Sequence, residues 1–214
     1  MGCMLGGAVG DVIGKDDLKT IHKKYGPYGL RTVLKSAKNG NKSIISDDTQ
    51  LALFTADGML WADHDGLEPT EGLYRSYMRW YYTQTERIIR PEQEKWMNRQ
   101  SHEVALEYDI MGEQALFARR SPGKTCLTAL ASGKKLSRDE TINHSSGNST
   151  VMRAAPIGLF YEGDPEKAFF VGSQAASLTH GNPKAFLSTA TISAIIASLA
   201  VGKDISTALG GALH

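Results

Sequence analysis

The chain has 214 residues, with 24 Lys and Arg against 23 Asp and Glu. Its basic residues are scattered apart from short pairs such as Lys23-Lys24, Arg119-Arg120 and Lys134-Lys135, which leaves no electrostatic footprint for nucleic acid. A hydrophobic share of 41% supports one sizeable core, read as a single domain over 1–214. Cys3 and Cys126 stand too far apart in sequence for a zinc or redox pair, so a reduced, cytoplasmic protein is expected.

The N-terminal run is apolar and glycine-rich, but it lacks a basic leader and carries Asp11, so it does not read as a signal peptide. It predicts a helix over 1–13. Gly2, Gly6, Gly7 and Gly10 fall near one face, the pattern of a tightly packed central helix.

At Ser46-Asp47-Asp48-Thr49-Gln50 two adjacent carboxylates precede an apolar helical run over 51–62. Two readings stay open there. Ser46 or Asp47 is a good N-cap, Asp47 and Gln50 have capping-box spacing, and acidic groups favour the positive end of a helix. Alternatively, neighbouring carboxylates and the hydroxyls of Ser46 or Thr49 form a hard-oxygen set suited to Mg²⁺.

A helix over 70–83 follows, then a polar stretch over 83–108 with Arg87, Arg90, Glu92, Glu94 and Lys95, read as a solvated connection or a loop over one face. Further helices are predicted over 112–119, 124–132, 150–161, 164–177 and 183–201, separated by turns such as Ser121-Pro122-Gly123 and Gly181-Asn182-Pro183. No stretch alternates as a strand would. The fold class is therefore all-α.

Small residues at Ser145-Ser146-Gly147-Asn148-Ser149-Thr150 form either a plain turn or a backbone cradle for a diphosphate at a helix start. His180, just before the turn at 181–183, is either a capping or core residue or part of a pocket. The apolar segment 185–202 is punctuated by Ser188, Thr189, Thr191, Ser193 and Ser198, which favours a buried core helix over a membrane span.

Taken together, these segments resemble the ADP-ribosylglycohydrolase family, which includes the dinitrogenase-reductase-activating glycohydrolases. The opening Gly2-Cys3-Met4-Leu5-Gly6-Gly7-Ala8-Val9-Gly10-Asp11-Val12-Ile13-Gly14 is similar to the family's first helix, and Ser46-Asp47-Asp48-Thr49-Gln50 to its first metal-ligand motif. Arg120-Ser121-Pro122-Gly123-Lys124-Thr125 resembles its central turn, the segment 147–158 its substrate loop and following helix, and Leu178-Thr179-His180 its later helix boundary. Ser149 stands where the family loop commonly has a second glycine, a departure that bears on how closely the backbone approaches a ligand.

The resemblance implies a compact orthogonal helix bundle and a hydrolase that removes ADP-ribose from a modified side chain or a small-molecule conjugate. Nucleic acid enters only as a modified substrate, and no membrane is involved. It implies two Mg²⁺ per complete site, with Ser46, Asp47 and Asp48 as metal ligands, and Gly147, Asn148, Ser149, Thr150, Val151 and His180 around the substrate. Family members usually continue to a Gly-Gly-Asp-x-Asp-Thr motif that completes the metal site, whereas this sequence reads Gly210-Gly211-Ala212-Leu213-His214. A chain that is C-terminally incomplete relative to the family is therefore expected, and with it a second reading: a catalytically impaired ADP-ribose-binding or regulatory relative. Glu86, Glu92 and Glu94 all lie in the polar stretch, and none is assigned as general base.

Overall fold

The computed structural model describes residues 2–13, 17–29, 32, 35, 40, 42–85 and 109–212. The acidic candidates Glu86, Glu92 and Glu94, and most of the polar stretch over 83–108, lie outside the described residues. Nine α-helices and no strand occur among those described, so the all-α class holds. They are α1 (Gly2–Ile13), α2 (Leu18–Tyr25), α3 (Asp47–Asp65), α4 (Pro69–Thr85), α5 (Lys124–Ala131), α6 (Ala155–Phe160), α7 (Pro165–Ser177), α8 (Pro183–Ala200) and α9 (Ile205–Ala212).

Helix α3 shows why this architecture forms. Ser46 caps its start by accepting the Asp48 N–H, and Gly66, at φ 63°, ends it in the left-handed region that favours glycine. Between them, Gln50, Leu51, Phe54, Thr55, Gly58, Met59, Trp61 and Ala62 recur at helical spacing and form one buried stripe. The stripe packs on α4, whose Leu73, Tyr77 and Trp80 face it. At the crossing, a Cβ on Gly58 would stand 2.8 Å from the Leu73 backbone, and one on Gly72 would overlap the Gly58 carbonyl oxygen. Close approach of the two backbones excludes any side chain at either position. Ser76 then donates to the Phe54 carbonyl at 2.6 Å, and the Thr55 and Tyr77 hydroxyls pair at 2.9 Å, which satisfies the polar groups this approach buries.

A second pair, α7 and α8, packs through small residues, with Ala175, Ala190, Ala194 and Ala197 buried, and α6 wedges between α8 and α3. Helix α8 is long and apolar enough to cross a membrane by composition, but half of it is buried inside the fold against α6, α7 and α9. It is a core helix, as the sequence suggested.

Three expectations change. Helix α1 is peripheral: none of its residues is buried, its four glycines have open space around them, and Leu5 is 59% exposed. Among the described residues no helix packs on its small-residue face, so the close approach those glycines allow is not made there. The helix expected over 112–119 is instead two 3-10 turns, Ile110–Gly112 and Gln114–Leu116. Asp109 and Glu113 each accept the N–H two residues on, so each starts a new turn rather than extending one helix. The run over 150–161 divides into a 3-10 segment, Asn148–Arg153, and α6, because Pro156 lacks an N–H and sits where a helix begins.

Two short helices escaped the sequence reading. Helix α2 has a polar composition and buries nothing, although its Asp17 cap accepts the Thr20 N–H at 2.9 Å. Helix α9 buries only Ala208, against α8.

Candidate functional site

The N-terminus of α3 opens onto a cavity of ≈ 920 Å³ bounded by α1, the Ser121 turn and the start of α6. Ser46, Asp47 and Asp48 all line it, together with Asp11 and Thr49. The capping reading holds in part. Ser46 is the helix cap, while the two aspartate side chains take no part in capping. The expected Asp47–Gln50 capping box does not form. Gln50 is buried and donates to the Leu116 and Ala118 carbonyls at 3.2 and 3.0 Å, tying α3 to the segment before the central turn.

Asp47 is clamped by that turn. Its N–H donates to the Arg120 carbonyl at 2.9 Å, and its Oδ2 accepts the Gly123 N–H at 3.0 Å. Between these two bonds Ser121 adopts φ 61°, a conformation that costs a residue with a side chain about 1 kcal/mol or more and that the surrounding contacts must hold. The turn therefore fixes both the backbone and the carboxylate of Asp47. Sequence reasoning found the turn but not this role. A non-glycine residue at positive φ leaves no signal in a single sequence.

Asp11 reaches the same point from α1, its Oδ2 accepting the Ser46 N–H at 2.7 Å and the Thr49 hydroxyl at 2.6 Å. The three carboxylates respond differently to this crowding. Burial raises the Asp47 carboxyl to about 6, and Asp48 and Asp11 reinforce the rise against the Gly123 N–H. Asp48 is raised by desolvation and by Asp11. Burial would raise Asp11 as well, but the hydrogen bonds from Ser46 and Thr49 outweigh it and hold its carboxyl low. The mouth of the cavity thus concentrates negative charge.

The substrate-loop candidates lie beside this mouth. Gly147 and Asn148 are exposed, Ser149 and Val151 half-buried, and Thr150 buried, its hydroxyl 3.5 Å from the Ala185 carbonyl. Gly123 joins the two regions. A Cβ there would stand 2.8 Å from Ser149 Oγ and 3.9 Å from Asp47 Oδ2. The Ser149 hydroxyl thus sits against the central turn, and Met152 and Ala155 continue into the cavity wall.

His180 is buried at the end of α7, and a Cβ on Gly147 would stand 3.3 Å from its Nε2. Its Nδ1 pairs with the Thr179 hydroxyl at 2.9 Å, while Nε2 has no partner among the described residues. Burial and the nearby Arg153 lower its pKa to about 4, so the ring is neutral at pH 7. The loop is sewn to this end of α7 by Asn143, whose Nδ2 donates to the Thr179 carbonyl at 3.0 Å and whose Oδ1 accepts the Gly181 N–H at 3.1 Å. The structure thus gathers the metal-ligand candidates Ser46, Asp47 and Asp48 and the substrate candidates at 147–151 and His180 into two adjoining regions. Among the described residues, however, no group of three or more His, Cys, Asp or Glu side chains forms a metal cage.

A model of the ADP-ribosylglycohydrolase family matches residues 1–214. The chain belongs to the ADP-ribosylglycohydrolase family. Neither a curated protein nor a solved structure matches it. Membership implies a hydrolase acting on ADP-ribose conjugates, and the helical architecture is consistent with it.

Proposed function

We propose that this chain hydrolyses the bond between ADP-ribose and a modified protein side chain or small-molecule conjugate, with Mg²⁺ at the start of α3. The observation that carries the reading is the placement of Asp47, Asp48 and Asp11 together on the wall of the ≈ 920 Å³ cavity, next to the 147–151 loop, in a chain of this family.

The donors present fit a hard cation. All are oxygens, and the upward pull on the Asp47 and Asp48 carboxyls is what a bound cation relieves. Asp47, Asp48 and the Ser46 hydroxyl would hold Mg²⁺ from one side, an arrangement compatible with an ion that keeps several waters. Bound there, Mg²⁺ supplies orientation of ribose hydroxyls and of the attacking water.

The chain's own residues supply the rest. Cleavage at an anomeric carbon develops positive charge on the sugar, and the carboxylates on the cavity wall stabilise it electrostatically. The central turn keeps Asp47 from swinging away, which spares the site the reorganisation a free side chain would require. The loop from Gly147 to Val151 and His180 would take the distal ribose or phosphate oxygens through backbone and ring donors.

The test is release of ADP-ribose from peptides modified on arginine or serine, with Mg²⁺ or with a chelator. Wild type with Mg²⁺ should turn over, and Asp47→Ala and Asp48→Ala should each fall by on the order of 10²-fold. Equal rates in wild type and both variants would remove the metal assignment. Binding of ADP-ribose with no release from either peptide would favour the alternative of a non-catalytic ADP-ribose-binding relative.

A further inference from the structure

A chain of buried polar groups lies behind the loop. Arg153 is wholly buried, with no carboxylate partner among the described residues, its guanidinium 4.3 Å over the Tyr77 ring. It donates from Nη2 to the Thr179 hydroxyl at 2.6 Å and to the Ala175 carbonyl at 3.3 Å. The same hydroxyl meets His180 Nδ1 at 2.9 Å. With one lone pair taken by the guanidinium, the Thr179 hydroxyl has a single hydrogen to give to Nδ1 and a second lone pair that could accept from it. Electrostatics favour giving, because the ring lone pair then faces the cation and the ring N–H points away from it. That N–H lies on Nε2, the atom that faces Gly147 and has no partner among the described residues.

We propose that Arg153, acting through the Thr179 hydroxyl, fixes His180 in the tautomer with its hydrogen on Nε2. His180 therefore offers a donor beside the 145–150 loop and takes a ligand oxygen, from a phosphate or a ribose hydroxyl, in preference to a donor group. Arg153 and Thr179 are positioning residues. This inference rests on the reading of the loop as the ADP-ribose site.

One group competes for the Thr179 hydrogen. The buried thiol of Cys126 also lies within hydrogen-bond reach of that hydroxyl, but it is a weaker acceptor than an imidazole nitrogen. If the thiol took the hydrogen, Nδ1 would have to donate to Thr179 Oγ1, and the ring would carry its hydrogen on Nδ1.

Nitrogen NMR of ¹⁵N-histidine-labelled protein at pH 7 separates these arrangements, since a protonated and an unprotonated ring nitrogen resonate far apart. The expected result is His180 with hydrogen on Nε2 in wild type, in Thr179→Ser and in Cys126→Ala, and a rising share of the Nδ1 form in Thr179→Val. Binding of free ADP-ribose should weaken about tenfold in Thr179→Val and be restored in Thr179→Ser. Hydrogen on Nδ1 in the wild type, which needs no variant to fold, overturns the proposal. An unchanged Nε2 form in folded Thr179→Val removes the relay from Arg153. If the ring carries hydrogen on Nε2 but ADP-ribose does not bind, the tautomer assignment stands and the ligand assignment falls.

Discussion

The aspartate mouth at the start of α3 and the seam around His180 flank the 147–151 loop, yet they are built on opposite principles. At the mouth, backbone clamps hold carboxylates against a cavity, and the charges there repel one another. In the seam, side-chain and backbone hydrogen bonds join 143–145 to 179–182 inside the fold, and the ring that titrates is kept neutral. The contrast shows two ways of preparing a site. One stores unfavourable electrostatics for a cation to relieve, and the other buries a donor whose direction is set from behind.

The comparison can be broken most severely at Gly181. A Cβ there would overlap the Asn143 carbonyl oxygen and stand 2.8 Å from Thr141 Cβ, so Gly181→Ala should separate the seam and cost about 3 kcal/mol in urea unfolding. Substitution by alanine on the open side of the fold, at Gly6, should cost nothing comparable.

Acid tests the seam next. His180 titrates near 4 when folded against a usual value of 6.5, so the unfolded chain binds the proton first as pH falls. Its contribution to stability is full above pH 6.5 and is lost as pH drops toward 4. The loss should reach about 2 kcal/mol by pH 5, and His180→Gln should flatten that part of the stability profile in urea melts. Asp47, raised to about 6, gains stability over the same range, so the ring is read from the difference: a wild type that loses no stability relative to His180→Gln between pH 6.5 and 5 would contradict the buried neutral ring.

A smaller effect should follow at the junction. Gly123→Ala places a Cβ 2.8 Å from Ser149 Oγ, a contact a serine side chain can partly yield to, at about 1–2 kcal/mol. Because the Gly123 N–H also orients Asp47, hydrolysis should fall more than stability does, which a comparison of melting and rate would reveal.

The smallest expected change has the opposite sign. Asp47→Asn removes one desolvated, mutually repelling charge and should stabilise the metal-free protein by about 1 kcal/mol at pH 7, while abolishing any rise in melting temperature on adding Mg²⁺. A destabilised variant would mean that the Gly123 bond to the carboxylate outweighs the repulsion.

Much of this protein was legible in the linear chain. Helical periodicity with no strand pattern gave the all-α class, and the motifs around Asp47, Gly147 and His180 gave the family that the match over residues 1–214 establishes. These are local signals: spacing, capping residues and turn chemistry act between neighbours in sequence. The tertiary structure decided what depends on distant partners. It placed the glycine face of α1 at the periphery, although the same small-residue spacing occurs where α3 and α4 meet. It brought Asp11 to Ser46 and Thr49, set Gly123 against Asp47, and stacked Arg153, Thr179 and His180 behind the loop. Sequence thus determined which side chains were available, and burial decided their charge and direction, because desolvation and long-range hydrogen bonds exist only once the helices pack.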